Sequence, residues 1–152
     1  MIINFFFRIL SSTAKYKKMI KNETKIRVRY GETDQMGYVY YGNYAEFFEV
    51  GRVELLRSLG VSYKSLEESG IMLPVLHLEI NYLKPAKYDN LLTLETKLVG
   101  KPMVKIKFEF KVFNEKKELL TTGETTLVFI DMKKNKPTKA PKYLLDKLYC
   151  SI

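Results

Sequence analysis

The segment that most restricts the fold is "NYAEFFEVGRVELLRSLG", residues 43–60. Its apolar residues recur at helical spacing: Tyr44, Phe48, Leu55 and Leu59 form one stripe, flanked by Phe47 and Leu56. Asn43 precedes the pattern, and Glu46 stands at the third helical position, an N-x-x-E arrangement resembling a capping box. Gly60 sits where a helix ends in a left-handed conformation. The predicted helix, residues 44–59, is about 24 Å long at 1.5 Å per residue. Val50 and Val53 fall opposite the main stripe, where a surface helix is usually polar. Such a helix has to be covered over much of its circumference.

The later part of the chain can provide that cover. After a short helical pattern, "SYKSLEESG" (62–70), ended by Gly70, the apolar period changes from helical to alternating. Four strand candidates come in succession: "LPVLHLEINYLKP", "NLLTLETKLVG", "MVKIKFEFKVF" and "ELLTTGETTLVFIDM". In the third, Val104, Ile106, Phe108, Phe110 and Val112 alternate with Lys105, Lys107, Glu109 and Lys111, as in a half-buried antiparallel strand. The short connections "KPAKYDN", "GKP" and "NEKKE" suggest a meander. "KIRVRY", 25–30, supplies a strand before the helix, with Ile26, Val28 and Tyr30 on one face. "KNKPTKAPKY" closes the sheet, and 141–149 form a terminal helical turn. The expected fold is α+β: an antiparallel sheet wrapped around one long helix, the hotdog architecture.

A chain of 152 residues is most economically one domain, burying about 70% of its extended-chain surface. The single Cys, Cys150, rules out an internal disulfide and fits a reducing, cytoplasmic setting. The net charge is +9; the first eighteen residues contribute Arg8, Lys15, Lys17 and Lys18 and no acid, leaving +5 for residues 19–152. Their apolar run, Ile2 to Leu10, is broken by Asn4 and Arg8 and is too short for a bilayer span, which needs about 20 apolar residues. Its positive charges mostly come after the apolar run, the reverse of a signal peptide. Residues 1–22 are therefore expected to lie outside the fold, with Met19 a candidate start and 23–152 as the domain. A weak membrane-surface contact is the one partner role this extension suggests.

Most common catalytic devices are absent. There is no G-x-S-x-G elbow and no phosphate loop, and one His with one terminal Cys cannot make the usual zinc site. His77 is in phase with Glu79 and Asn81 on a polar strand face, which marks it as a solvated strand residue. Carboxylates remain. Asp34 comes after the first strand and precedes the helix by about nine residues. A helix N-terminus carries unpaired N–H groups and about half a positive charge, which can stabilise an oxyanion. A carboxylate beside it could attack a carbonyl or activate water. Alternatively, Asp34 only shapes the tight "TDQMG" turn. The spacing leaves both readings open.

Residues 26–60, with "RVRYGETDQMGYVYYGNYAEFFEVGRVELLR", resemble the signature of hotdog-fold acyl-CoA thioesterases, in the group of 4-hydroxybenzoyl-CoA and tol-pal-associated thioesterases. "LEINYLKPAKYDNLLTLETKL" and "TTGETTLVFIDMKKNKP" match that family's later strands, so the resemblance covers about 25–140. Its Asp-x-x-Gly-x-Val-x-Tyr-x-x-Tyr spacing is specific. The resemblance implies that Asp34 is the catalytic carboxylate, nucleophile or general base, and that the backbone N–H of Tyr41 polarises the thioester carbonyl. Many tol-pal-associated members carry His where this chain has Tyr41, so no His-assisted route is carried over. Tyr38, Tyr40, Asn43 and Tyr44 are expected around the substrate, with core packing explaining the tyrosines equally well and helix capping explaining Asn43. Glu49 pairs more simply with Arg52 than with a site water.

The implied activity is hydrolysis of an acyl-CoA thioester, without cofactor or metal, by a homodimer or homotetramer. Lys84, Lys101, Lys133 and Lys134 are candidates for the phosphate-rich CoA handle. The alternatives are an acyl-carrier-protein thioesterase and a non-catalytic acyl-ligand binding protein. Nucleic acid is not an expected partner, since lysines alternating along strands are usually a solvated face.

Overall fold

The computed structural model describes residues 19–149, so the expectations for residues 1–18 and Cys150 lie outside the described residues. In chain order come β1 (Lys21–Arg27), a 3-10 turn (Tyr30–Glu32), α1 (Asn43–Ser58), α2 (Tyr63–Glu68), β2 (Ile71–Met72) and β3 (Val75–Tyr82). Next are β4 (Leu91–Val99), β5 (Lys105–Phe113), β6 (Leu119–Val128), β7 (Ile130–Asp131), β8 (Lys136–Pro137) and α3 (Lys142–Tyr149). The main sheet is antiparallel with order β1-β4-β5-β6-β3, while β2, β7 and β8 make a small second sheet.

The expected meander holds only for β4, β5 and β6. β3 does not pair with β4, the next strand in sequence; it lies on the far edge beside β6. Residues 84–90 must therefore carry the chain across the end of the sheet. That crossing segment is fastened to the loop before α1: the Val39 N–H donates to the Ala86 carbonyl at 2.9 Å, and Tyr38 bridges Lys87. "KNKPTKAPKY" likewise supplies β8 to the small sheet rather than closing the main one.

With Ile20 buried and its carbonyl accepting from the Leu98 N–H, residues 20–22 belong to the fold, contrary to the expected boundary at residue 22. β1 begins at Lys21, four residues earlier than the alternation in "KIRVRY" indicates, and ends at Arg27. Val28 is buried just beyond it, but Tyr30 is 80% exposed, its ring edge-on to Tyr88. The chain has already turned by then, so Tyr30 does not share the face of Ile26 and Val28.

Helix α1 lies across β1, β4 and β5 with Tyr44, Phe47, Phe48, Leu55 and Leu56 buried. Its close seat depends on missing side chains. A Cβ on Gly123 would lie 2.6 Å from the Glu79 carbonyl and against the Phe48 ring, and one on Gly51 would lie 2.6 Å from Leu94 Cδ2. Phe48 instead lies flat on the sheet, stacked on Phe110 with ring centroids 4.3 Å apart. The helix ends as expected, with Gly60 at φ +77°: its N–H donates to the Arg57 carbonyl, and that of Val61 to the Leu56 carbonyl. At the other end the expected capping box is not formed. Gly42 takes the N-cap position in helical geometry (φ −66°, ψ −26°), and Asn43 is already the first helical residue, where its side chain cannot cap. The cover is also narrower than expected, since Val50 is 42% exposed and Val53 only half-buried.

Candidate active site

Asp34 opens a tight turn that its own carboxylate organises. Oδ1 accepts from the N–H groups of Met36 (2.9 Å) and Tyr38 (3.2 Å), while the Asp34 N–H donates to the Tyr38 carbonyl (2.8 Å). Gly37, at φ +74°, closes the turn on the Asp34 carbonyl. The turn-shaping reading of this residue is thus real. It uses only one carboxylate oxygen, however, and Oδ2 takes no hydrogen bond among the described residues.

The start of α1 decides which N–H groups are free. Those of Asn43, Tyr44 and Ala45 already donate to the carbonyls of Tyr40, Tyr41 and Gly42. Those of Tyr41 and Gly42 find no acceptor among the described residues. Tyr41 stands outside the helix, 63% exposed, at the positive end of its dipole.

Asp34 and Tyr41 line the same cleft of ≈ 280 Å³. Tyr38 and Tyr44 share it, as do Met36, Val39, Tyr82 and Leu83 at the end of β3, and Lys84 and Pro85 at the start of the crossing segment. Tyr44 is buried, edge-on to Tyr82 at 5.4 Å, and burial pushes its phenol above the usual range. The Tyr82 phenol is raised too, by burial first and then by its Tyr44 and Tyr41 neighbours. Both remain neutral hydroxyls at working pH. Tyr40 and Asn43 do not line the cleft. Tyr40 packs against the Tyr41 ring, and the Asn43 amide donates to the Glu32 carbonyl at 2.8 Å.

Glu32 is a residue that sequence reasoning missed. It is only 7% exposed, and its carboxylate accepts from the Arg29 N–H (2.7 Å) and from Arg29 Nε and Nη2 (2.8 and 2.6 Å). Its carbonyl accepts from the Tyr40 N–H as well as from Asn43. Tyr82 was missed as well, because it belongs to a strand remote from the loop in sequence.

Of the lysines considered for CoA, Lys84 reaches the cleft, paired with Glu118 at 2.9 Å; Lys101, Lys133 and Lys134 do not line it. Glu49 pairs with Arg52 at 3.8 Å. His77 is an exposed strand residue 3.8 Å from Glu124, and with Glu79 it forms a small ligand-type cluster on the outer sheet face. Lys107 already holds Glu124 at 2.7 Å there. A larger concavity, ≈ 450 Å³, opens on that outer face. Its lining is mainly paired Glu and Lys side chains, without a free backbone donor like that of Tyr41. The smaller cleft is the one lined by both Asp34 and Tyr41.

The chain is similar to known proteins over most of its length. The thioesterase-like superfamily matches residues 28–148. The acyl-CoA thioesterase YbgC of Haemophilus influenzae is 35% identical over 118 residues, 77% of this chain and 86% of that protein. The acyl-CoA thioester hydrolase YbgC of Escherichia coli is 30% identical over 120 residues, 79% of this chain and 90% of that protein. A solved DHNA-CoA thioesterase from Staphylococcus aureus superposes with TM-score 0.77 at 39% identity, covering 87% of this chain and 85% of that one. The chain belongs to the thioesterase-like superfamily and is a thioester hydrolase of hotdog architecture.

Proposed function

We propose that Asp34 and the Tyr41 N–H together hydrolyse an acyl-CoA thioester to a carboxylic acid and free CoA. The observation that carries the reading is the shared cleft: a carboxylate with one oxygen fixed and one free lines it together with Tyr41, whose N–H finds no acceptor among the described residues. With the thioester carbonyl oxygen against the Tyr41 N–H, charge developing there is stabilised by that donor and the helix dipole. Asp34 Oδ2 then takes a proton from water as the water oxygen bonds to the carbonyl carbon. Alternatively, Oδ2 bonds to that carbon itself, and water later cleaves the resulting anhydride. In either route the C–S bond breaks, and the CoA sulfur leaves as thiolate and gains a proton. A single turnover in ¹⁸O-labelled water tests the second route: label found in Asp34 requires an anhydride opened by water at the Asp34 carboxyl carbon, whereas the first route labels only the product.

The cleft wall favours a flat acyl group. Four tyrosines, Tyr38, Tyr41, Tyr44 and Tyr82, line it, and the solved Staphylococcus aureus relative acts on an aromatic CoA ester by its name. Lys84 and Lys87 stand near its rim, the latter over the Tyr38 ring at 6.0 Å, where phosphates of CoA could be met. Thiol release across short, long and aromatic acyl-CoAs, with acyl-carrier-protein esters as a separate arm, tests the assignment. Absence of release from every CoA ester would overturn it.

The working form is a homodimer or a dimer of dimers in the cytoplasm. β3 is an edge strand that exposes Val75, Leu76, Leu78 and Tyr82, and Val50 of α1 is open beside the sheet. An uncovered apolar edge of this kind is normally paired or shielded. Light scattering should give at least twice the chain mass, and a fully active monomer would refute this part. No helix among the described residues is long and apolar enough to cross a membrane.

A further inference from the structure

We infer that Tyr82 is a positioning residue for the catalytic backbone donor: its hydroxyl holds the Tyr41 carbonyl and so keeps Tyr41 in its place in the cleft wall. The inference rests on the thioesterase reading of the cleft. Tyr82 Oη donates to the Tyr41 carbonyl at 3.0 Å, across 41 residues of sequence.

Tyr41 needs such a restraint. It precedes α1, so no complete helical turn encloses it. Its own N–H is unspent, and the bond from the Tyr44 N–H to its carbonyl is long, 3.4 Å. The peptide plane before it, which contains the Tyr40 carbonyl and the Tyr41 N–H, is oriented locally, because the Asn43 N–H donates to the Tyr40 carbonyl at 3.0 Å. The plane after it contains the Tyr41 carbonyl, and the short bond there comes from Tyr82. Two fixed planes flank the residue, one held by the helix and one by the end of the edge strand β3. The first sets the direction of the Tyr41 N–H, and the second keeps the residue that carries it from shifting.

The aromatic ring is itself anchored, edge-on to the buried Tyr44 at 5.4 Å. Burial and its tyrosine neighbours raise the Tyr82 phenol, so it stays protonated and able to donate across the range in which thioesterases are assayed. Displacing a catalytic group by an ångström can cost about 100-fold in rate, so losing one of two restraints is expected to cost about tenfold.

Tyr82→Phe removes only the hydroxyl and keeps the ring on Tyr44. Its kcat on the best acyl-CoA should fall about tenfold with KM within about twofold, because the donor acts on the transition state rather than on ground-state binding. The ¹³C resonance of the Tyr41 carbonyl should shift upfield as its hydrogen bond is lost. His77→Gln, on the same strand but the outer face, should leave both parameters unchanged. Unchanged kcat in Tyr82→Phe would overturn the inference. So would a raised KM at unchanged kcat, which would make the hydroxyl a substrate contact. A melting temperature lower by more than about 8 °C, or failure to fold, would also overturn it, since the hydroxyl would then be holding the fold. A wild-type protein without thiol release would instead remove the thioesterase reading itself.

Discussion

The Asn43 side-chain amide donates to the Glu32 main-chain carbonyl at 2.8 Å, tying the first residue of α1 to the turn two residues before Asp34. The same carbonyl accepts the Tyr40 N–H at 2.9 Å, so carboxylate and backbone donor are spaced by one shared acceptor. Asn43→Ala should cost about 1 kcal/mol of stability and lower the melting temperature by about 3 °C. Activity should fall by about tenfold, more than that small loss of fold explains. The isosteric Asn43→Asp, which cannot donate, should be no better. Thermal melts and kcat/KM on the same preparations check both.

Asp34→Asn should lower turnover by about 100-fold or more while leaving the fold intact. The amide oxygen can still accept from Met36 and Tyr38 N–H, so the turn keeps its organiser while the base or nucleophile is gone. Asp34→Ala should lose activity and melt earlier as well. A folded Asp34→Asn variant with near wild-type thiol release would show that the carboxylate only shapes the turn.

Tyr41→Phe should keep most activity, because the role assigned to Tyr41 lies in its N–H. Tyr41→Pro should abolish it: proline has no N–H and also restricts Tyr40. Losing one oxyanion donor costs about 3 kcal/mol, or roughly 100-fold in rate. Circular dichroism and a melt establish that the proline variant is folded. A Tyr41→Phe variant as inactive as Asp34→Asn would put the chemistry on the phenol.

Gly123→Ala reverses an ordinary rule. Alanine in a strand is generally more stable than glycine, by about 0.5–1 kcal/mol. Here its Cβ would meet the Phe48 ring and lie 2.6 Å from the Glu79 carbonyl. The variant should lose about 1–3 kcal/mol and melt about 3–10 °C lower. A protein as stable as the wild type would mean that α1 can lift off the sheet freely.

Much of the fold is legible in the sequence because it is local. The alternation in Val104–Val112 and the helical stripe of Tyr44–Leu59 need no partner to be read, and Gly60 stops its helix for a reason of its own backbone. The strand order is not legible, since alternation says which face a residue takes but not which strand lies beside it. The start of β1 escapes because "KNET" is polar on both faces, as an edge strand can be. Asn43 misleads for a different reason. An Asn before a helical stripe has the chemistry of a cap, and only the fold brings the Glu32 carbonyl within its reach. Asp34 is marked by its motif, whereas Tyr82 has no local signal at all.

The crossing of residues 84–90 also sets an order of events during synthesis. A growing chain that has emerged to residue 115 already contains Asp34, Tyr41 and Tyr82. It does not yet contain β6, residues Leu119–Val128, the strand on which β3 is registered. Without β6, Tyr82 has no fixed neighbour in the sheet, and the segment carrying Ala86 has only one anchored end. The ribosome therefore releases every residue of the cleft before it supplies the strand that sets the cleft's geometry. Thiol release from stalled nascent chains should accordingly begin only after the C-terminal third has cleared the exit tunnel, when these long-range pairings can form.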